Sequence, residues 1–204
     1  MLLKRRWLTL CIFGVVLSTA ACAGPRGRQP AKTIVDLTYP EALGVTLLHL
    51  VSPSPRRKET GRRMCDAIAI NMLLVTAIKP CVYSPRPKPY REQKHAFPSG
   101  ETSFAFAVAA SLGENEPSSR WVAFPLAAAV GWARESNQKH TWDQVVAGAV
   151  LGTFVGHLAG QGKIRLFGHK DAPAAPPAPV AAELDNPAHE VGPANQIAVW
   201  GTSF

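Results

Sequence analysis

Five side chains in the middle of the sequence have the chemistry to hold and attack an anion: Lys79, Arg86, Ser99, Arg134 and His140. A guanidinium presents a planar fork of N–H donors that meets two oxygens at once, and Lys79 adds a point charge. Ser99-Gly100 fits the start of a helix, where free backbone amides can cradle oxygens. Histidine is a neutral nitrogen base near pH 7; attack on phosphorus by His140 would give a phosphohistidine that water then hydrolyses. Singly, each residue has an ordinary role: Lys79 a cation at a helix C-terminus, Arg86 a solvated loop residue, Ser99 a cap, His140 a packed histidine. In combination they describe an oxyanion pocket containing a nucleophile. No Cys or carboxylate cluster has metal-ligand spacing, so the expected chemistry uses no metal and no cofactor.

These residues need helices to position them. Residues 40–51 read as the first, with Pro40 in its first turn and Ser52-Pro53-Ser54-Pro55 ending it. Residues 63–78 read as the second, with Ile68, Met72 and Val75 on one face and Pro80 as its stop. A Pro-rich loop over 81–98 follows, long enough to carry function itself. The third helix opens at Ser99-Gly100 and reaches about Leu112, and the fourth covers about 119–132 with Pro125 inside it. The fifth, about 141–160, starts with a capping box of Thr141 and Gln144. Within it Gly148, Gly152, Gly156 and Gly160 recur every four residues, a strip that another helix can approach closely. No strand pattern competes. The expected fold is all-α, a compact bundle of about five helices. The apolar runs at 67–78, 103–112, 121–133 and 145–156 fall short of the roughly 17 to 25 residues that cross a bilayer, so they read as buried faces.

The N-terminus has the order of a secretory signal: Lys4, Arg5 and Arg6, an apolar run over 7–17, then Ser18-Thr19-Ala20-Ala21-Cys22. Small residues before Cys22 resemble a bacterial lipoprotein processing site, where the Cys thiol is acylated; plain cleavage after Ala21 or Ala23 is the competing reading. The expected organisation is a signal at 1–22, a linker at 23–32, a helical domain at 33–168 and a disordered Pro/Ala-rich tail at 169–204. An exported, periplasmic lipoprotein held at the membrane is the expectation. The chain carries +8, and loss of the three signal cations leaves +5. Part of that excess is the segment Arg56-Arg57-Lys58 and Arg62-Arg63, suited to solvent, to anionic headgroups of a membrane surface or to a phosphorylated substrate; no nucleic-acid partner is expected. A helix between Cys65 and Cys81 would separate them by roughly 24 Å, beyond the ~4.4 to 6.8 Å of a disulfide, so none is expected.

The same residues resemble the three signature motifs of the type 2 phosphatidic acid phosphatase superfamily, which includes bacterial non-specific acid phosphatases and vanadium haloperoxidases. Lys79-Pro-Cys-Val-Tyr-Ser-Pro-Arg86-Pro87 is similar to the first, Phe97-Pro98-Ser99-Gly100 with Thr102-Ser103-Phe104-Ala105-Phe106 to the second, and Arg134 with His140 to the third. The resemblance covers about residues 79–152. It implies a metal-independent phosphatase acting on phosphate monoesters or diphosphates, a lipid, a prenyl diphosphate or a soluble ester. Lys79, Arg86, Ser99, Gly100 and Arg134 would bind phosphate, and His140 would be the nucleophile. Two positions depart from the family pattern. Glu101 stands where the family has the His that protonates the leaving group; Gln144 stands where it has an Asp, with Asp143 one residue early. The pattern from His140 to Gln144 is similar to the dolichyl diphosphatase branch. Asp143 or Gln144 would orient the histidine, and Glu101, with a raised pKa, would be the acid. Glu101 also fits the rival reading, a non-catalytic phosphate- or lipid-binding lipoprotein; a vanadate-dependent haloperoxidase is a lesser alternative.

Overall fold

The computed structural model describes residues 30–167. They form five helices: α1 Pro30–Leu50, α2 Pro55–Ile78, α3 Gly100–Asn115, α4 Arg120–Ser136 and α5 Trp142–Gly160, with 3-10 turns at Lys79–Cys81 and Pro117–Ser119. No strand occurs among the described residues; the loop between α2 and α3 holds one isolated parallel bridge, Ser84 to His95. The all-α expectation is met. The residues read as signal and lipidation site, and those read as the tail, lie outside the described ones.

Small residues set the close packing of the centre. A Cβ at Gly148 would lie 2.6 Å from the Ser99 carbonyl oxygen, and one at Gly152 would lie closer still to that of Ser103. Only glycine permits such an approach between helix backbones. Residue numbers rise together along this contact, so α3 and α5 run parallel and their N-termini meet at one end. α2 runs the other way, with Met64 against Phe104 and Val108 and its Val75 near Gly100. α4 is likewise reversed, since Gly113 faces Arg120 and Gly131 faces Thr102 and Val145. One end of the bundle therefore collects the starts of α3 and α5 and the ends of α2 and α4.

Two helices begin earlier than the sequence reading placed them. α1 starts at Pro30, so residues 30–32 are helix rather than linker and Pro40 is interior. A proline there removes one helical bond and strains the turn before it. Thr38 and Thr46 hydroxyls nearby donate to the Ile34 and Ala42 carbonyls, both at 2.8 Å. α2 starts at Pro55 behind an extended Ser54, which makes Pro55 the true first-turn proline. Arg56, Arg57, Lys58, Arg62 and Arg63 are thus helical.

With that boundary α2 and the turn after it reach the length of a membrane-crossing helix. Pro55–Cys81 holds an 18-residue window of mean hydropathy 1.5, only 28% of it buried, the one helix among the described residues long and apolar enough to cross a membrane. Leu43, Leu47, Leu73, Val150 and Phe154 are 51–65% exposed. The apolar runs are therefore not all core faces.

Candidate active site

Each sequence motif ends on a turn that fixes its functional side chain. Lys79 follows the last residue of α2, and its Nζ reaches the Pro98 carbonyl at 3.4 Å. The loop beyond is pinned where Ser84 N–H donates to Lys94 O (2.8 Å), Ala96 N–H to Ser84 O (2.9 Å) and Arg86 N–H to Gln93 O (3.1 Å). Ser99 is fully buried at the start of α3; its N–H donates to Gln144 O (3.0 Å) and its hydroxyl is hydrogen-bonded with Thr102 Oγ1 (2.9 Å). That hydroxyl does not cap its own helix, so the first α3 amides, Gly100 among them, are the unmatched donors of a helix start. The five residues between Arg134 and His140 are explained by the turn after α4. Gln138 adopts φ 56°, and the amides of Lys139 and His140 both return to Arg134 O, at 3.0 and 3.3 Å. His140 is thereby folded back beside the guanidinium that ends α4.

The hydrogen bonds around His140 fix its tautomer. Gln144 Oε1 lies 2.9 Å from His140 Nδ1 and accepts the Thr141 N–H at 3.3 Å. Gln144 Nε2 donates to Ser84 Oγ (2.8 Å) and to Pro85 O (3.1 Å), an acceptor only. An amide facing an N–H donor on one side and a carbonyl on the other has one orientation that satisfies both. The Gln144 oxygen therefore accepts from His140, whose proton sits on Nδ1 and whose lone pair is on Nε2. That Nε2 is buried and has no hydrogen-bond partner. Burial first, then Arg134, lowers the His140 pKa from 6.5 to about 4, against the raising effects of Gln144 and Glu101. At neutral pH the imidazole is an uncharged base with its Nε2 uncommitted.

Around it lie three cations and one carboxylate. Glu101 Oε1 is 2.9 Å from an Arg134 terminal nitrogen and Oε2 is 3.8 Å from His140 Nε2. Arg134 is 7% exposed, and the buried Nε atoms of both Arg134 and Arg86 have no partner. Burial, ahead of any charge, lowers the pKa of Lys79 and of Arg134; Glu101 opposes that for both and Arg86 adds to it. Two unmatched guanidinium donors in one field are what an oxyanion with several oxygens would satisfy, and the Nε2 lone pair beside them faces the same space as a base. Tyr39 of α1 joins the same field. Its pKa is raised by burial and by Glu101 and lowered by Arg134, and its ring sits 4.7 Å from that of Phe104.

The structure thus brings together Lys79, Arg86, Ser99, Gly100, Glu101, Arg134, His140 and Gln144. Asp143 is solvent-exposed, and the hydrogen bond to Nδ1 comes from Gln144 instead. Ser84 and Tyr39 went unnoticed in the sequence: Ser84 lies inside the first motif as an unremarkable spacer, and Tyr39 reaches the site only through packing. Cys65 and Cys81 are free. No group of three His, Cys, Asp or Glu that could hold a metal occurs among the described residues.

A helical bundle with buried guanidiniums and a tautomer-fixed histidine at one end has the make-up of an oxyanion-binding protein. Residues 60–163, just over half of the 204, match the PAP2 superfamily, and the chain belongs to that phosphatase superfamily. It is similar in fold to LpxE of Aquifex aeolicus, with a TM-score of 0.56 and 23% identity over 72% of this chain and 93% of that one. No curated protein sequence matches it significantly.

Proposed function

We propose that the protein hydrolyses phosphate monoesters or diphosphates without a metal, through a phosphohistidine on His140. The observation that carries this reading is the buried, unpartnered Nε2, held as the free-lone-pair nitrogen by Gln144. In the first step a bond forms between Nε2 and phosphorus as the bond to the leaving oxygen breaks. Arg134, Arg86, Lys79 and the Ser99-Gly100 turn hold the phosphoryl oxygens, and their positive charge meets the charge that develops there. Glu101, whose Oε2 lies 3.8 Å from His140 Nε2, is the group placed to pass a proton to an alkoxide leaving group; a diphosphate leaves as phosphate and needs it less. Water then attacks phosphorus, releasing inorganic phosphate and restoring the neutral imidazole.

A binding-only protein is the second reading, and the 2.9 Å contact between Glu101 and Arg134 favours it, because a carboxylate there competes with phosphate for the same fork. Brief incubation with a radiolabelled aryl phosphate, quenched in base, separates the two. Acid-labile label on His140, absent from His140→Ala, supports the enzyme; turnover without label in the wild type would sink the phosphohistidine. We further read the chain as an exported lipoprotein acylated at Cys22, with its exposed apolar side chains at the membrane and a lipid phosphate or prenyl diphosphate as substrate alongside soluble esters. Metabolic labelling with a fatty acid, lost in Cys22→Ala, tests the anchor.

A further inference from the structure

The Gln144 carboxamide has two unlike ends, an acceptor at Oε1 and a donor at Nε2, and the site supplies opposite partners to each. Oε1 lies between two N–H donors, His140 Nδ1 at 2.9 Å and the Thr141 amide at 3.3 Å. Nε2 meets two acceptors in the loop between α2 and α3, Ser84 Oγ at 2.8 Å and Pro85 O at 3.1 Å. The backbone carbonyl of the same residue accepts the Ser99 N–H at 3.0 Å. One residue, 1% exposed, therefore joins the loop, the start of α3 and the histidine.

The loop contact reaches Arg86 through the backbone. The Pro85 carbonyl and the Arg86 N–H belong to one planar peptide unit. That unit is held on both sides, its carbonyl by Gln144 Nε2 and its N–H by Gln93 O at 3.1 Å. Fixing the plane restricts the direction in which the Arg86 side chain leaves the chain, and Arg86 Nε is one of the buried donors without a partner. Ser84 is itself locked by its main chain: its N–H donates to Lys94 O at 2.8 Å and its carbonyl accepts the Ala96 N–H at 2.9 Å. Its hydroxyl is thus presented to Gln144 from a fixed backbone. A carboxylate in place of the amide would have no proton for Pro85 O, so only a carboxamide serves both sides.

We infer that Ser84 is a positioning residue which, through the Gln144 amide, couples the placement of the Arg86 fork to the tautomer of His140. The assignment rests on the phosphatase reading only in naming His140 the nucleophile. The coupling has a physical consequence. A change in the loop that touches neither the histidine nor the anion should weaken anion binding, and should do so only while the amide is there to transmit it.

Inorganic phosphate is titrated calorimetrically into the full chain carrying Ser84→Ala, Gln144→Met or both. The His140 ring, identified by its loss from His140→Ala, is followed by nitrogen NMR with isotope-labelled histidine. Ser84→Ala should weaken phosphate binding about three- to tenfold, the worth of one hydrogen bond, and leave the ring protonated on Nδ1, because Pro85 O still holds the amide. Ser84→Thr, which keeps the hydroxyl, should bind phosphate as the wild type does. Gln144→Met, of similar length and without polar ends, should weaken binding further and release the ring to both tautomers. In that background Ser84→Ala should cost nothing more. Additive losses in the double variant would overturn the coupling. So would unchanged phosphate affinity in Ser84→Ala, or a ring that keeps its Nδ1 proton opposite Met. If Gln144→Met fails to fold, the Ser84 pair decides: affinity lost with Ala and regained with Thr supports the assignment, and equal affinities overturn it. None of these readouts needs hydrolysis, so a protein that shows the coupling and turns over no ester would remove the phosphatase reading and leave this one standing.

Discussion

Both ends of the bundle collect arginines, and they treat them in opposite ways. Away from His140, Arg63 donates to Glu59 Oε1 (3.1 Å), Asn115 Oδ1 (3.1 Å) and Gly160 O (2.8 Å), tying α2 to the ends of α3 and α5. Arg120 donates to Gly113 O (2.8 Å) and Glu114 Oε1 (2.7 Å). At the site end, Arg134 meets one carboxylate and keeps a buried Nε unmatched, as does Arg86. The far end holds the densest run of basic residues in the sequence, yet there the cations mend helix termini and meet acids. At the site end buried guanidinium donors are left unmatched; at the far end the arginines are matched.

That difference predicts opposite consequences for substitution. The largest is expected at His140: His140→Ala should take aryl phosphate turnover to background, a loss far beyond what the missing Nδ1–Gln144 bond and the cavity left by a buried ring would cause through stability. Arg134→Lys should cost about 10²–10³-fold in kcat, because a point charge does not reproduce the fork. Normal turnover in either variant, measured by steady-state kinetics, would break the contrast at its functional end.

The pH dependence comes next. With the His140 pKa lowered to about 4, kcat/KM for an aryl phosphate, whose leaving group needs little protonation, should stay level down through pH 6.5 and fall only as the imidazole protonates near 4. A limb centred at 6.5 would show that the ring is not held neutral by burial and Arg134. The same shift has a stability consequence. The folded pKa lies below the unfolded one, so this contribution is fully present above about 6.5 and is lost as pH falls towards 4, by roughly 3 kcal/mol.

At the far end the effect should be smaller and of the other kind. Arg63→Ala should lower unfolding free energy by about 1–3 kcal/mol, since it removes three hydrogen bonds that tie α2 to α3 and α5, and should not change turnover per folded molecule. Chemical denaturation and active-site-normalised kinetics check both halves. Lost turnover with unchanged stability would assign the basic segment to the substrate after all.

What could be read in advance divides along the same line. The start of α5 was legible because Thr141 and Gln144 form a local cap, and the glycine strip because its spacing repeats within one helix. The starts of α1 and α2 were not. Pro40 imitates a helix start and Pro55 looks like part of a stop, and only packing and the extended Ser54 distinguish the two. In the site, residue types and spacing were visible along the chain. The choice of Gln144 over Asp143 was not, since it depends on which one the folded turn aims at Nδ1. Nor was the pairing of Glu101 with Arg134, which joins the start of α3 to the end of α4 across 33 residues.

That pair supports the finest test. Glu101 faces two partners, Arg134 at 2.9 Å and His140 Nε2 at 3.8 Å, and a phosphoryl group arriving between them must share or displace its carboxylate. Glu101→Gln removes the negative charge and keeps the shape. Inorganic phosphate should then bind about tenfold tighter, because one anion no longer competes with another for the guanidinium. Aryl phosphate turnover should change by no more than about threefold, because its leaving group departs with little protonation, whereas turnover of a simple alkyl phosphate should fall further. Unchanged phosphate affinity would show that Glu101 and the substrate occupy separate parts of the pocket. Equal losses for aryl and alkyl esters would remove Glu101 as the acid and leave the leaving oxygen to take its proton from water, which confines efficient substrates to diphosphates and other esters with good leaving groups.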